Sequence, residues 1–333
     1  MASADGVEKL EDAIVRSAEQ VAAQIRTAKE AISTVIFGQD RVIENTLVTI
    51  LSGGHALLIG VPGLAKTKLV ETLGITLGLD AKRIQFTPDL MPSDILGAEV
   101  LDESSSGKRS FRFLSGPVFA QLLMADEINR ASPRTQSALL QAMQEQHITV
   151  AGARHDLPKP FHVLATQNPL EQEGTYPLPE AQLDRFLMEI DVDYPDRDAE
   201  RRILFETTGA EETLAKVAMN AEILIAAQRL VRRLPVGDSV VEAILSLVRS
   251  ARPNSEDGGD KLIAWGPGPR ASQSLMLAVR ARALLDGRLA PSIDDVLDLA
   301  EPVLKHRMAL TFSARAEGRT IPDVIKQLKA RIG

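Results

Sequence analysis

The chain contains no cysteine. That removes disulfide scaffolds, zinc ribbons, thiol nucleophiles and iron–sulfur centres together. A surplus of positive charge is missing too: 38 Lys plus Arg stand against 45 Asp plus Glu, a formal net charge of −7. A broad basic footprint for nucleic acid is therefore absent on average, although a local patch is compatible with that total. No apolar run is long enough to cross a bilayer, since the longest, Leu47 to Val61, is broken by Ser52-Gly53-Gly54-His55. The first residues, Met1 to Gly6, lack the basic-then-apolar order of a secretory leader. Repeats and low-complexity tracts are absent. These absences lead to the expectation of a soluble, cytoplasmic protein with no membrane span. What is present is ordinary globular composition, 44% apolar and 25% charged, in 333 residues. At about 150 residues per domain, that length suggests two domains.

Hydrophobic spacing divides the chain. Leu10, Ile14, Ala18, Val21, Ile25 and Ala28 recur at intervals of three and four, so residues 7–50 read as helix. The pattern breaks at Phe37-Gly38-Gln39-Asp40 and restarts at Val42, with Asp40 placed to cap the restart. From 55 to 195, short apolar runs (His55–Ile59, Leu122–Ala125, Phe161–Ala165, Phe186–Val192) alternate with helical stretches, as in a parallel sheet covered on both faces. Residues 98–115, with the turn-rich centre Asp102 to Gly107, and residues 147–156, around Ala151-Gly152, read as projecting β-hairpins. After Tyr194-Pro195 the strand signal ends. Residues 197–208, 219–234, 238–250, 270–286, 292–306 and 322–332 read as helices, and Pro253 to Pro269, with Gly258, Gly259, Gly266 and Gly268, as a loop. The expected architecture is α/β: an αβα sheet domain with inserted hairpins over 1–205, then an all-helical domain over 206–333.

The stretch Leu57-Leu58-Ile59-Gly60-Val61-Pro62-Gly63-Leu64-Ala65-Lys66-Thr67-Lys68 runs from a strand through a Gly-containing turn into a helix. Gly60 and Gly63 let backbone N–H groups turn inward, and the helix N-terminus adds its partial positive charge. The resulting concavity suits a triphosphate. Lys66 is then expected to bridge the β- and γ-phosphates of ATP, and the Thr67 hydroxyl to bind Mg2+. The strict pattern has Gly where this chain has Ala65, and the expectation is a modest steric change. An ordinary strand–turn–helix connection is the plain alternative.

Gln121 to Glu127 is an apolar strand that delivers Asp126 and Glu127 at its C-terminal end, where open parallel sheets bind ligands. Asp126 suits the outer shell of Mg2+, and Glu127 suits polarising the water that attacks the γ-phosphate. Taken alone, such a pair is more often a helix cap. The phosphate loop and this pair occur here with Ile128-Asn129-Arg130, with Gln136 to Leu140, with Ala165-Thr166-Gln167-Asn168-Pro169, and with the run Glu173 to Phe186. Together these segments resemble the MoxR family of AAA+ ATPases, from about Val35 to the C-terminus, and the run from 173 to 186 is the most family-specific part. The resemblance implies a P-loop AAA+ sheet domain with two inserted hairpins and a helical lid. It also implies a homo-oligomer, expected as a hexameric ring, that spends ATP on chaperone-like remodelling or maturation of client proteins beside a partner bearing a von Willebrand factor A domain.

By the same resemblance Asn168 is the first sensor, with an Asn-Pro turn as the alternative. Arg185 resembles an arginine finger reaching a neighbour's ATP, with a solvated ion pair to Asp184 as the alternative. Arg270 matches the second sensor, although Pro269 at a helix start is favourable chemistry in any case. Val35 to Gln39, including Gly38 and Gln39, resembles the segment that packs on adenine, and a helix–helix turn around a core Ile36 is the alternative. Arg130 reads as either an interface contact or the partner of a nearby acid. Phe111, Phe113, His147 and Arg154 are candidates for a pore lining, against packing on the parent sheet, and Trp265 reads as an anchor between domains. The rival functions are a nucleotide-dependent scaffold and an AAA+ DNA translocase subunit. Glu127, Asn168 and Arg185 argue against the first and the acidic balance against the second. A GTPase is disfavoured because no Asn-Lys-x-Asp segment is present.

Overall fold

The structure, a computed structural model, describes residues 4–103, 109–171, 174–209, 213–253 and 260–332, with side chains from Glu19 onward. The expected turn at Ser104–Gly107, the residues Glu173, Gly258 and Gly259, and the side chains of Leu10, Ile14 and Ala18 lie outside the described residues.

Two helices come first, α1 (Ala4–Ser33) and α2 (Asp40–Leu51). They are followed by β1 (Ala56–Ile59), α3 (Lys66–Thr76), β2 (Ala81–Gln85) and the short α4 (Pro92–Leu96). A hairpin of β3 (Gly97–Glu103) and β4 (Arg109–Ser115) precedes β5 (Leu122–Asp126), α5 (Pro133–Glu145) and a second hairpin, β6 (His147–Val150) with β7 (Ala153–Asp156). The sheet domain ends with β8 (His162–Gln167), the one-turn α6 (Glu180–Leu183) and β9 (Met188–Asp191). Then follow α7 (Arg197–Thr207), α8 (Ala221–Val231), α9 (Asp238–Ser250), β10 (Ile263–Trp265), α10 (Pro269–Leu285), α11 (Ile293–Leu304), β11 (Ala309–Leu310), α12 (Phe312–Ala316) and α13 (Ile321–Lys329).

The five-stranded sheet has the order β2-β5-β8-β1-β9, and every pairing in it is parallel. Alternation along the strands separates two cores. Ala56, Leu58, Leu122, Met124 and Leu164 face α1, α2, α3 and the lid helices. Leu57, Leu123, Ala125, Val163 and Ala165 face α5, α4 and the hairpins. All five residues of β5 are buried, so the strand reads as an unbroken apolar run. β2 lies outside the four apolar runs because it is an edge strand whose only buried residue is Ile84.

The lid is helical, as expected, and several of its helices begin on side-chain caps. Asn220 accepts from the Ile223 N–H, Ser292 and Asp295 cap each other, and so do Thr320 and Asp323. Each such cap is worth about 0.5–2 kcal/mol. One short antiparallel pairing, β10 with β11, joins the lid helices. Both strands are too short to leave an alternating pattern. Trp265 sits half-buried in this ribbon.

Two local expectations are corrected. Asp40 is the first helical residue and does not cap α2; Gln39 holds the cap position, and its amide donates to the Asp193 carbonyl at 2.8 Å instead. Of the two hairpin phenylalanines only Phe111 projects, 71% exposed. Phe113 stacks on His155 at 3.9 Å and meets Phe119 edge-on at 5.6 Å. In the second hairpin Ala151 and Gly152 both have positive φ, the paired turn geometry that matches strand twist.

Candidate functional site

The phosphate loop leaves β1 at Gly60 and enters α3 at Lys66. Gly60 has no room for a side chain: a Cβ there would come within 2.6 Å of the Val192 carbonyl oxygen, just past the end of β9. Gly63 has φ +87°, and nothing lies within 4 Å of where its Cβ would be. It supplies conformation, while Gly60 supplies clearance. Ala65 departs from the strict pattern in a way steric size does not capture. It is the N-cap of α3 and stands at φ +56°, in the left-handed region. The cost is therefore backbone strain of about 1–2 kcal/mol for a residue with a Cβ, rather than the modest steric change expected.

Lys66 Nζ donates to the Gly60 carbonyl and, at 3.0 Å, to the Val61 carbonyl. Partial burial pulls its pKa below the ordinary lysine value, while Asp126 and Glu127 pull it back up. A cavity of about 450 Å³ is lined by Pro62, Gly63, Leu64, Ala65, Lys66, Thr67 and Lys68 of the loop, together with Asp126, Glu127 and Asn168. The expected acids and the first sensor thus meet the loop in one space. Arg83, Gln85 and Thr166 line it as well.

β5 ends in Asp126, whose two oxygens are both engaged. Oδ1 accepts from the Thr166 hydroxyl at 2.5 Å, and Oδ2 accepts from Arg83 Nη2 at 2.5 Å and Nε at 3.2 Å. Glu127 turns out of the strand with φ +55°. Its N–H donates to Thr166 Oγ1 at 2.9 Å, and its Oε2 accepts from Gln85 at 2.7 Å and Arg130 at 3.0 Å. Arg130 is therefore the partner of a nearby acid within this chain. Asn168 is buried, and its Oδ1 accepts from the Leu170 N–H at 3.1 Å, so it closes the Asn-Pro turn while lining the cavity.

A second cavity, about 280 Å³, shares Gly63, Leu64, Ala65 and Lys68 with the first. Its other walls are Val35, Ile36, Phe37 and Gln39 from the α1–α2 connection, with Pro195, Ile203 and Thr207. Gly38 has φ +67° and passes so close to Pro195 and Ala199 that a Cβ would lie 2.5 Å from that of Ala199. A mostly apolar slot that shares a wall with a polar, loop-lined one is a layout that suits a purine and its phosphates. The hard oxygen donors Thr67 and Asp126 line the polar cavity, a donor set that fits Mg2+.

Arg185 and Arg270 line neither cavity. Asp184 is not the partner of Arg185. It pairs with Arg307 at 2.7 Å and with Arg270 at 3.3 Å. Arg307 is buried, and it also donates to the Val303, Phe186 and Leu187 carbonyls. Sequence reasoning missed Arg307, Arg83 and Gln85. Arg307 lies in a lid segment without any motif. Arg83 and Gln85 share only the period of two that puts alternate residues of β2 on one face. The family-specific run is fastened to α5 and to the turn after β5: the buried Gln136 amide donates to the Tyr176 carbonyl at 2.9 Å, and the Tyr176 N–H to the Asn129 carbonyl at 2.7 Å.

Among the described residues no group of His, Asp or Glu forms a metal cluster, and no helix is long and apolar enough to cross a membrane.

Comparison with known proteins bears on this geometry. The model of the ATPase family associated with various cellular activities (AAA) matches residues 55–188, and that of the AAA lid domain matches residues 260–328. The chaperone MoxR1 of Mycobacterium tuberculosis is 42% identical over 92% of this chain and 82% of its own length. Protein MoxR of Paracoccus denitrificans is 32% identical over 87% of this chain and 89% of its own. A crystal structure of a candidate ATPase from Cytophaga hutchinsonii, 35% identical, superimposes with a TM-score of 0.87 over 96% of this chain and 97% of that one. With its loop, acid pair and lid in this arrangement and relatives of this likeness, the chain belongs to the MoxR family of AAA+ ATPases.

Proposed function

We propose that this ATPase works as a Mg2+-dependent ring of identical copies, hexameric in number, that converts ATP hydrolysis into remodelling or maturation of client proteins, with a von Willebrand factor A domain protein as partner. Lys66 and the backbone N–H groups of the loop hold the β- and γ-phosphates, and the base lies in the apolar slot beside Ile36 and Gln39. Thr67 and Asp126 hold Mg2+, which neutralises charge on the phosphates when bound. Glu127 polarises the attacking water, and the Asn168 amide orients it. The chaperone name of the Mycobacterium relative supports the client reading.

The observation that carries the ring is the position of Arg185. Its side chain makes no hydrogen bond or ion pair among the described residues, and it lies outside the phosphate cavity of its own chain. Asp184 beside it is already shared by two lid arginines. A cation left unpaired in this way suits a neighbour's γ-phosphate, where an arginine finger supplies about 10³–10⁵ in rate. Arg270 pairs with Asp184 at the same corner and lines neither cavity, which supports reading it as a contact to a neighbour's nucleotide as well. The test is particle mass with and without a slowly hydrolysed ATP analogue, followed by rings of wild type mixed with Arg185→Ala. Assembly and a mixed activity well below the weighted sum are expected. A monomer with full turnover, or strictly additive mixtures, would overturn the reading.

A further inference from the structure

We propose that Arg83 is a built-in counter-ion of Asp126 that Mg2+ has to displace, so that this side chain sets how much Mg2+ the site requires. The proposal rests on the reading of Asp126 as the metal-holding acid. Arg83 lies on β2, the edge strand paired in parallel with β5, and it reaches along the sheet to the carboxylate at the end of that neighbour. Two guanidinium nitrogens converge on Oδ2, at 2.5 and 3.2 Å, while Oδ1 accepts from Thr166 at 2.5 Å. Contacts in which both partners are ionised are among the stronger hydrogen bonds in proteins.

The two partners differ in freedom. Asp126 is buried at the strand end, whereas the Arg83 side chain is 50% exposed. The guanidinium can therefore swing out to water, and the carboxylate cannot follow it. Mg2+ gives up its waters reluctantly and binds a carboxylate directly or through a retained water. Either arrangement competes with Arg83 for Oδ2, whose two lone pairs the guanidinium fills, while Oδ1 already accepts from Thr166. Metal binding then includes the work of opening the pair, and the apparent affinity falls by the fraction of molecules in which the pair is open.

The experiment uses the full chain carrying one equivalent of a slowly hydrolysed ATP analogue, with Mg2+ titrated in and followed by calorimetry. Arg83→Gln is expected to lower the Mg2+ concentration at half-saturation about threefold to tenfold. Lys82→Gln removes the same charge from the adjacent position of β2, where the amine donates to the Phe119 carbonyl at 3.0 Å. That variant is expected to stay within about twofold of wild type, since it breaks no contact with the acid. An unchanged or raised requirement in Arg83→Gln overturns the proposal, and so does an equal fall in Lys82→Gln, which would mean a general field effect. Asp126→Asn separates the two levels. Weakened Mg2+ binding there with no effect of Arg83→Gln removes the counter-ion role alone, while unaltered binding in Asp126→Asn removes the metal role of the acid and the proposal together.

Discussion

The phosphate cradle and the arginine corner are both built from charged groups, yet they are satisfied in opposite ways. In the cradle Lys66, Asp126, Glu127 and Asn168 all find partners inside the chain. At the corner the carboxylate of Asp184 is taken by Arg307 and Arg270, and among the described residues Arg185 is left without one. On the proposed reading, the difference is that between an ATPase site complete for binding and one that needs a neighbour's Arg185 for turnover. A pocket that must hold ligand in any state is assembled from one strand edge outward, whereas a group meant for another molecule has to be kept from local neutralisation.

Substitutions can sharpen or break this contrast. The largest effect is expected in the cradle, where Glu127→Gln should cut turnover by about 10²–10⁴, the usual worth of a general base. Nucleotide affinity measured by calorimetry should change little, and normal turnover would remove Glu127 from that role. At the corner, Arg307→Ala leaves Asp184 without its closest partner and removes a donor from each of the Val303, Phe186 and Leu187 carbonyls. A loss of about 3–5 kcal/mol in denaturant unfolding is expected, as for other broken buried pairs. A loss below about 1 kcal/mol would show that the corner is held by something else.

The junction between sheet and lid offers a third probe. Burial pushes His55 down to about pKa 3, helped by neighbouring His162, and burial pushes His162 down to about 4, from an ordinary 6.5. His162 Nε2 meets the Gln228 amide of α8 at 3.0 Å, so the pair lies where α8 of the lid meets β8. Both groups hold a proton less tightly when folded than when unfolded, so the unfolded chain binds protons first as pH falls. Their contribution is complete above about pH 7 and is lost through 6.5 toward 4, of the order of 2 kcal/mol each by pH 5. Urea midpoints measured from pH 7.5 to 5 should fall accordingly, and a flat profile would contradict the neutral buried state.

The smallest effect concerns Ala65. Replacing it by Gly relieves left-handed strain of about 1–2 kcal/mol but adds backbone entropy of about 0.5–1 kcal/mol in the unfolded chain. Thermal unfolding should show a gain of no more than about 1.5 kcal/mol, and a loss would mean that the Ala65 methyl makes contacts worth more than the strain.

Much of the cradle was legible because its parts are local. A strand, a glycine turn and a Lys-Thr helix start are neighbours in sequence, and Asp126-Glu127 ends an apolar run. The corner was less legible. Nothing in Asp184-Arg185 announces that the acid belongs to Arg307, 123 residues away, rather than to the adjacent arginine. Arg83 and Gln85 escaped notice because an edge strand of Ala-Lys-Arg-Ile-Gln carries almost no apolar signal.

Periodicity and short-range backbone chemistry were enough, by themselves, to determine the strand–loop–helix proposed to take phosphate, the parallel sheet and the helical lid, since each depends on residues a few positions apart. Which acid meets which base was decided only by the tertiary structure. Strand order brings β2 beside β5, and the lid delivers Arg307 to Asp184. Charge pairing depends on distance in space, and chain spacing does not encode that distance.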